Sequence, residues 1–226
     1  MNPDITAYLD PQERELIGSL NSPAAIQAFL DSIPYAPEDT NRSPVRVVRE
    51  RRAHCLDGGL FAAAALRRLG ERPVIVDLLP EPGTDDDHIL AIYTRHGRFG
   101  AVAKSNFVGL RFREAVYRSI RELAMSYFEA YFNVRGERTL RAYALPLELS
   151  RFDSYDWLCS DSGVDAIEQA LEHRREIPLI TAEMAAALVT LDPRSYDAGT
   201  LGSNPDGFYV PRNRAAGQLG VPECDE

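Results

Sequence analysis

The sequence predicts an α+β fold in which a buried helix packs on an antiparallel sheet. Every residue from 59 to 66 is apolar or glycine, so a helix there has no polar face and must be covered on all sides. Residues 73–79 and 88–93 have the composition of strands. A tight turn at residues 95–98 returns the chain along 99–106, which makes the last two strands antiparallel.

The other elements follow from local signals in chain order. We expect two N-terminal helices, at residues 11–20 and 22–32, and a basic connector at 44–52 that leads into the buried helix. A short extended piece at 108–113 and a long amphipathic helix at 119–131 follow the predicted hairpin. The last predicted elements are a strand at 139–147 and two short helices at 164–174 and 181–191. Residues 192–226 are rich in Gly, Pro, Asn and Asp and have little periodicity. We therefore predict one α+β domain over residues 1–191 and an irregular C-terminal tail over 192–226.

Composition narrows the class of protein. In 226 residues, hydrophobic residues make up 45% and charged residues 26%, which is typical of a globular domain. A net charge of −9 argues against a nucleic-acid partner, because phosphate contacts need clustered basic residues. The absence of a leading apolar segment, and of any apolar run of about 18 residues, argues against secretion and membrane insertion. We expect a cytoplasmic protein with no membrane partner.

Cysteine and histidine usage limits the kinds of site. Three widely spaced cysteines, Cys55, Cys159 and Cys224, do not suggest a disulfide framework, and a reducing compartment fits them. No Cys-x-x-Cys or His-x-x-x-His pair supplies metal-ligand geometry. We therefore predict neither a metal nor another cofactor.

Cys55 is the candidate nucleophile, because it stands at the first turn of the buried helix. The helix dipole and unpaired backbone N–H groups favour negative charge there and are expected to lower the pKa of the thiol. Arg51 and Arg52, just upstream, act in the same direction. The alternative is that Cys55 is a buried structural residue, since free cysteine usually behaves as a small hydrophobe.

His88 is the candidate general base, because it is the first residue of the strand predicted at 88–93, which follows the buried helix in the chain. The acidic run Asp85-Asp86-Asp87 precedes it directly. Nearby carboxylates stabilise imidazolium, so this run is expected to raise the pKa of His88 and to favour a thiolate–imidazolium pair.

The third position of the site is predicted from strand register. A turn centred between residues 96 and 97 places His88 opposite Ser105, and a slip of one residue brings Lys104 or Asn106 there instead. Lys104 has no acceptor atom, and Ser105 is a weak one. We favour Asn106, whose neutral amide can accept from the imidazole N–H and fix its tautomer.

This order of residues resembles the transglutaminase-like branch of the papain-type cysteine enzymes. The resemblance covers residues 26–106 and rests on His54-Cys55-Leu56-Asp57, on the apolar helix at 60–70 and on Asp87-His88-Ile89-Leu90. It implies a papain-like core in which Cys55 attacks an amide or thioester carbonyl and His88 moves the protons. This chain departs from the family at the third position, because Ala103 stands near the usual aspartate.

The sequence thus predicts cysteine-dependent acyl transfer or hydrolysis at an amide, ester or thioester, with Cys55, His88 and Asn106 acting on a small-molecule or peptide substrate. Two alternatives remain open. One is a catalytically inactive transglutaminase-like module that binds a partner. The other is an acyltransferase similar to the arylamine N-acetyltransferases, which also follow their cysteine with an apolar helix.

Overall fold

The computed structural model describes residues 4–38 and 40–211, and it confirms the α+β class. The helices are α1 (Pro11–Ser19), α2 (Pro23–Ser32), α3 (Pro44–Glu50), α4 (Cys55–Arg68), α5 (Ile120–Met125), α6 (Asp161–Glu172), α7 (Ala182–Ala186) and α8 (Pro193–Gly199). The strands are β1 (Val74–Pro80), β2 (His88–Arg95), β3 (Arg98–Val102), β4 (Arg113–Tyr117), β5 (Leu140–Ala144), β6 (Leu147–Glu148) and β7 (Glu176–Pro178).

All seven strands form one antiparallel sheet in the order β4-β3-β2-β1-β5-β7, and β6 pairs with one end of β1. In the hairpin of β2 and β3, Arg95 pairs with Arg98 and Ala91 with Val102. The turn residues His96 and Gly97 both have positive φ, which suits the twist of a two-residue hairpin. This is the register predicted from the sequence, although the ladder ends before it reaches His88.

The sheet is covered on both faces because side chains alternate along each strand. On one face, Ile75 and Ile89 pack with the buried helix α4. A Cβ atom at Gly59 would lie 2.4 Å from Ile89 Cγ2, so only glycine lets α4 approach this closely. On the other face, Leu90 packs with Tyr127 of the segment after α5. The predicted architecture, a buried helix on an antiparallel sheet with flanking helices, is confirmed.

Several segments differ from the prediction. Residues 108–110, expected to be extended, form a 3₁₀ turn, and the helix expected over 181–191 covers only Ala182–Ala186. Residues 44–50 form the helix α3 rather than a connector, because Pro44 at its first position has its φ already set for a helix. The predicted long helix over 119–131 ends at Met125. The Ser126 hydroxyl donates to the Leu123 carbonyl at 2.6 Å, and such side-chain bonds compete with continuation of the helix.

The C-terminal tail is only partly irregular. Pro193–Gly199 form the helix α8, because Asp192 accepts a hydrogen bond from the Ser195 N–H at 3.0 Å and proline occupies the first position. Residues 212–226 of the predicted tail lie outside the described residues. Along the described part of the chain, no helix combines the length and apolarity that spanning a bilayer requires.

Candidate functional site

A buried carboxylate holds the first turn of α4 in place. Asp57 is fully buried and accepts hydrogen bonds from the backbone N–H of Arg42 at 2.7 Å and of His54 at 3.2 Å. The Arg42 guanidinium, also buried, lies 3.3 Å from the same carboxylate. His54 is the N-cap residue, and its Nε2 lies 3.2 Å from Asp57 Oδ1. These contacts fix Cys55 as the first residue of the helix, and they engage His54 in capping.

Cys55 lies at the end of a cleft and is 9% exposed. Its Sγ is 3.8 Å from the Asp87 carbonyl oxygen, the acceptor for the thiol. Tyr35 lines the same cleft beside Cys55, and burial together with the neighbouring thiol raises the pKa of its hydroxyl. Burial, followed by the charges of Asp87 and its neighbours, raises the pKa of Cys55 well above the ordinary value. The expectation of a lowered thiol pKa was wrong, because desolvation outweighs the helix dipole here.

His88 is buried and oriented by a backbone carbonyl. Its Nε2 lies 2.7 Å from the Leu110 oxygen. Since a carbonyl can only accept, Nε2 carries the proton and Nδ1 keeps the basic lone pair. The rings of Tyr127 and Tyr131 lie edge-on, at centroid distances of 6.4 and 6.5 Å. Burial lowers the pKa of His88 to about 4, so the acidic run before it does not have the predicted effect.

Cys55 and His88 line the same cavity, of about 40 Å³, at the end of the sheet. They reach it from different sides. Neighbouring residues of a strand point to opposite faces of the sheet, and Ile89 faces α4. The imidazole of His88 therefore lies on the other face, where Tyr127 packs. The hydrogen bonds of the two groups go to Asp87 and Leu110 rather than to each other. The structure thus brings the predicted pair to one cavity but does not join them directly.

Asn106 also borders this cavity, but its amide is engaged elsewhere. Its Nδ2 donates to the Asn204 carbonyl at 2.8 Å, and its Oδ1 accepts from the Asn204 N–H at 2.8 Å. The role that we predicted for Asn106, accepting from the imidazole, is filled by the Leu110 carbonyl. A main-chain acceptor carries no sequence signature, and for this reason sequence reasoning missed it.

Residues 203–209, which we call the strap, cover the cavity. Besides the two bonds to Asn204, the Ser203 hydroxyl donates to the Asn106 carbonyl. Gly207 lies flat on the Tyr35 ring, where an added Cβ would be 2.8 Å from Cδ1. Phe208 packs on Phe107 with ring centroids 5.5 Å apart. Of the strap, Gly207 and Tyr209 line the cavity that Cys55 and His88 also line.

A pair of carboxyl groups lies beside Cys55 on the α4 face of the sheet. Asp77 of β1 is 3% exposed, and its buried Oδ1 accepts no hydrogen bond from the described residues. Asp87 is its diagonal neighbour across the β1–β2 ladder. Burial and the charge of Asp87 raise the pKa of Asp77 well above the ordinary value, and burial followed by the charge of Asp86 raises the pKa of Asp87 to about 6. The sequence signal for Asp77 is a lone acid in an apolar strand.

Lys104, the single lysine of the chain, has a structural role. Its Nζ donates to the carbonyls of Leu30 and Ile33 at 2.7 and 2.5 Å, so it caps the C-terminal end of α2. Burial lowers its pKa to about 8.

Comparisons with known proteins add little to this geometry. No protein-family model matches the chain, and no curated protein is similar in sequence. A solved structure of Legionella pneumophila LapG is similar over 45% of this chain and 73% of its own, with 14% identity and a TM-score of 0.34. The EGTA-treated form of LapG is similar over 50% and 75%, with 13% identity and a TM-score of 0.35. Function is therefore argued from the site.

Proposed function

We propose that the protein is a cysteine-dependent hydrolase or acyltransferase that acts on an amide, ester or thioester, with Cys55 as nucleophile and His88 as general base. The observation that carries the proposal is the shared cavity: a thiol at the N-terminus of a buried helix borders the same space as an imidazole whose tautomer is set. That combination supplies a nucleophile, a base and backbone donors for an oxyanion.

The proposed reaction starts when the thiol leaves the Asp87 carbonyl and gives its proton to His88 Nδ1. The thiolate attacks the substrate carbonyl carbon, and backbone N–H groups at the start of α4 receive the negative charge on oxygen. Tyr35 borders the same cavity, so its ring flanks the bound substrate. The imidazolium then protonates the leaving group as its bond to the acyl carbon breaks, and an acyl-Cys55 thioester remains.

The second half of the reaction regenerates the thiol. Nδ1 accepts a proton from water, or from an acceptor amine, as that nucleophile attacks the acyl-Cys55 carbonyl. The carbon–sulfur bond breaks, the sulfur takes the proton back from the imidazolium, and an acid or an amide leaves. The Leu110 carbonyl is the positioning group throughout, because it keeps Nε2 protonated and Nδ1 basic.

The experiment is turnover of a panel of ester, thioester and amide substrates by the wild type and by Cys55→Ala and His88→Gln variants. The proposal expects Cys55→Ala to abolish turnover and His88→Gln to lower kcat by about 100-fold or more, the range of general-base contributions. Folded variants, shown by circular dichroism, are required for the comparison. Turnover that survives in Cys55→Ala would refute the proposal.

A catalytically silent binding module is the second candidate, favoured by the raised thiol pKa in the closed cavity. The two candidates differ once the strap is removed. An enzyme lacking residues 203–226 should alkylate at Cys55 with iodoacetamide well below pH 8. A silent module should keep an ordinary or slower thiol in that truncated form as well.

A further inference from the structure

A cleft of about 490 Å³ opens beside Cys55 and is strongly acidic. Among the described residues that line it, eight carry carboxyl groups, of which Glu38 is paired with Arg42 and Arg52, and one, Arg174, carries a permanent positive charge. Arg174 is directed to the protein itself, because its guanidinium donates to the carbonyls of Leu145 and Pro146. The cleft therefore presents an excess of negative charge to anything that approaches the thiol.

The acidic lining alone does not define a binding site. Asp77 does, because it is a buried carboxyl group with an oxygen that lacks a hydrogen-bond donor in the described part of the chain. It borders this cleft, is 3% exposed, and leaves its buried Oδ1 without a donor from the described residues. A buried carboxylate oxygen without a hydrogen bond is costly and is rare in folded proteins. A donor that comes from the cleft would remove that cost.

The position of Asp87 completes a pair. Asp77 is opposite Ile89 in the β1–β2 ladder, so Asp87 is its diagonal neighbour on the same face. Both carboxyl groups border the cleft that holds Cys55. Asp87 is exposed to the cleft, whereas Asp77 forms its buried end. A single N–H-bearing cation suits this pair, since it can donate to both carboxyl groups and offset the repulsion between them.

We propose that the cleft binds an ammonium or guanidinium group of the substrate between Asp77 and Asp87, next to Cys55. This inference rests on the proposed function, in which Cys55 is the reacting group. It adds that the substrate has a positively charged end that bears N–H groups. A quaternary ammonium lacks the N–H that Asp77 Oδ1 needs, and an anion is repelled.

The test compares matched thiol reagents on a Cys159→Ser, Cys224→Ser background, so that Cys55 is the reacting thiol. The reagents are 2-aminoethyl, 2-(trimethylammonio)ethyl and 2-sulfonatoethyl methanethiosulfonate, and each rate is divided by the rate of the same reagent with free cysteine. We expect the corrected rate of the aminoethyl reagent to be at least about tenfold higher than that of the sulfonate reagent. It should be about threefold higher than that of the quaternary reagent, which corresponds to one additional hydrogen bond.

Substitutions then locate the effect. Asp77→Asn and Asp87→Asn should each lower the aminoethyl-to-quaternary ratio toward one. Glu172→Gln removes the same charge from the lining of the cleft at a residue outside the pair, and it should leave that ratio unchanged. If Asp77→Asn fails to fold, the exposed Asp87→Asn decides the outcome. An equal loss in Glu172→Gln, or no preference for the aminoethyl reagent in the wild type, would overturn the proposal.

A second measurement uses reversible ligands. Butylammonium should protect Cys55 from the neutral reagent iodoacetamide, while butyrate and butyltrimethylammonium should not. Neither measurement needs turnover. Selective protection in a protein that hydrolyses none of the panel substrates would preserve the cation site and reject the hydrolase. Turnover without any cation selectivity would preserve the hydrolase and reject the cation site.

Discussion

Asn106 and Asn204 are joined by two reciprocal hydrogen bonds, each 2.8 Å long, between the side-chain amide of the first and the backbone of the second. The contact spans 98 residues of sequence and fastens the strap over the cavity that holds Cys55. Asn106, which the sequence proposed as an orienting residue for the imidazole, is in this structure an anchor for the strap.

Loosening that anchor should expose the thiol. Asn106→Ala removes both hydrogen bonds, and we expect iodoacetamide to alkylate Cys55 about tenfold faster, which corresponds to a loss of ~1.4 kcal/mol of closing free energy. Deletion of residues 203–226 should raise the rate further. Asn21→Ala, on an exposed loop, is the control. Equal rates in wild type, Asn106→Ala and the deletion would show that the strap does not limit access.

His88 makes the fold sensitive to acid. Its folded-state pKa is about 4, below the ordinary 6.5, so its neutral form contributes stability above pH 6.5 that is lost as the pH falls toward 4. We expect the wild type to lose up to about 3 kcal/mol of unfolding free energy in that range from this group. In urea titrations at pH 7.5 and 4.5, His88→Gln should lose less than the exposed-site control His173→Gln. Parallel losses would contradict the burial of a neutral imidazole.

Compared with His88, Asp77 should change the pH dependence of stability in the opposite direction. Its folded-state pKa is raised, so its contribution to stability is complete below the pKa of the unfolded carboxyl and is lost as the pH rises. Asp77→Asn cannot ionise, so it should increase the unfolding free energy at pH 8, where the native state must hold a buried carboxyl against ionisation. The gain should vanish at pH 3.5. Asp197→Asn, at an exposed position, should show no such dependence, and a loss of stability in Asp77→Asn at pH 8 would contradict the raised pKa of Asp77.

The Arg42–Asp57 contact supports the first turn of α4. Removing a buried ion-pair partner leaves an uncompensated charge, so Arg42→Met should destabilise the protein by about 3 kcal/mol or more. Arg72→Met breaks the exposed pair with Glu148 and should change stability far less. Chemical denaturation measures both. Similar costs for the two variants would mean that Asp57 finds another partner when Arg42 is lost.

Much of the fold could be predicted because it depends on local pattern. The apolar run after Cys55, the strand that starts at His88 and the turn at His96-Gly97 each carry a strong signal within a few residues, and the hairpin register followed from the turn. The short helix α3 and the early end of α5 were missed, because one proline or one serine side chain decides them.

The site was harder to predict because its contacts come from distant parts of the chain. Leu110 acts through its carbonyl, which every residue type possesses. The effect of burial on Cys55 and His88 depends on how many elements close over them, including the strap, and it reversed both of the pKa shifts that local charges suggested. Asp77 was visible as an acid among apolar neighbours, but its partner became evident only from the β1–β2 register.

The most direct test of the Cys55–His88 assignment is mass spectrometry of the protein after brief exposure to an activated acyl ester or thioester, with the strap deleted to admit the reagent. The assignment predicts one acyl group on the peptide that contains Cys55, formed much more slowly in His88→Gln and absent in Cys55→Ala. Acylation confined to Cys159, or equal acylation of Cys55 with and without His88, would contradict it.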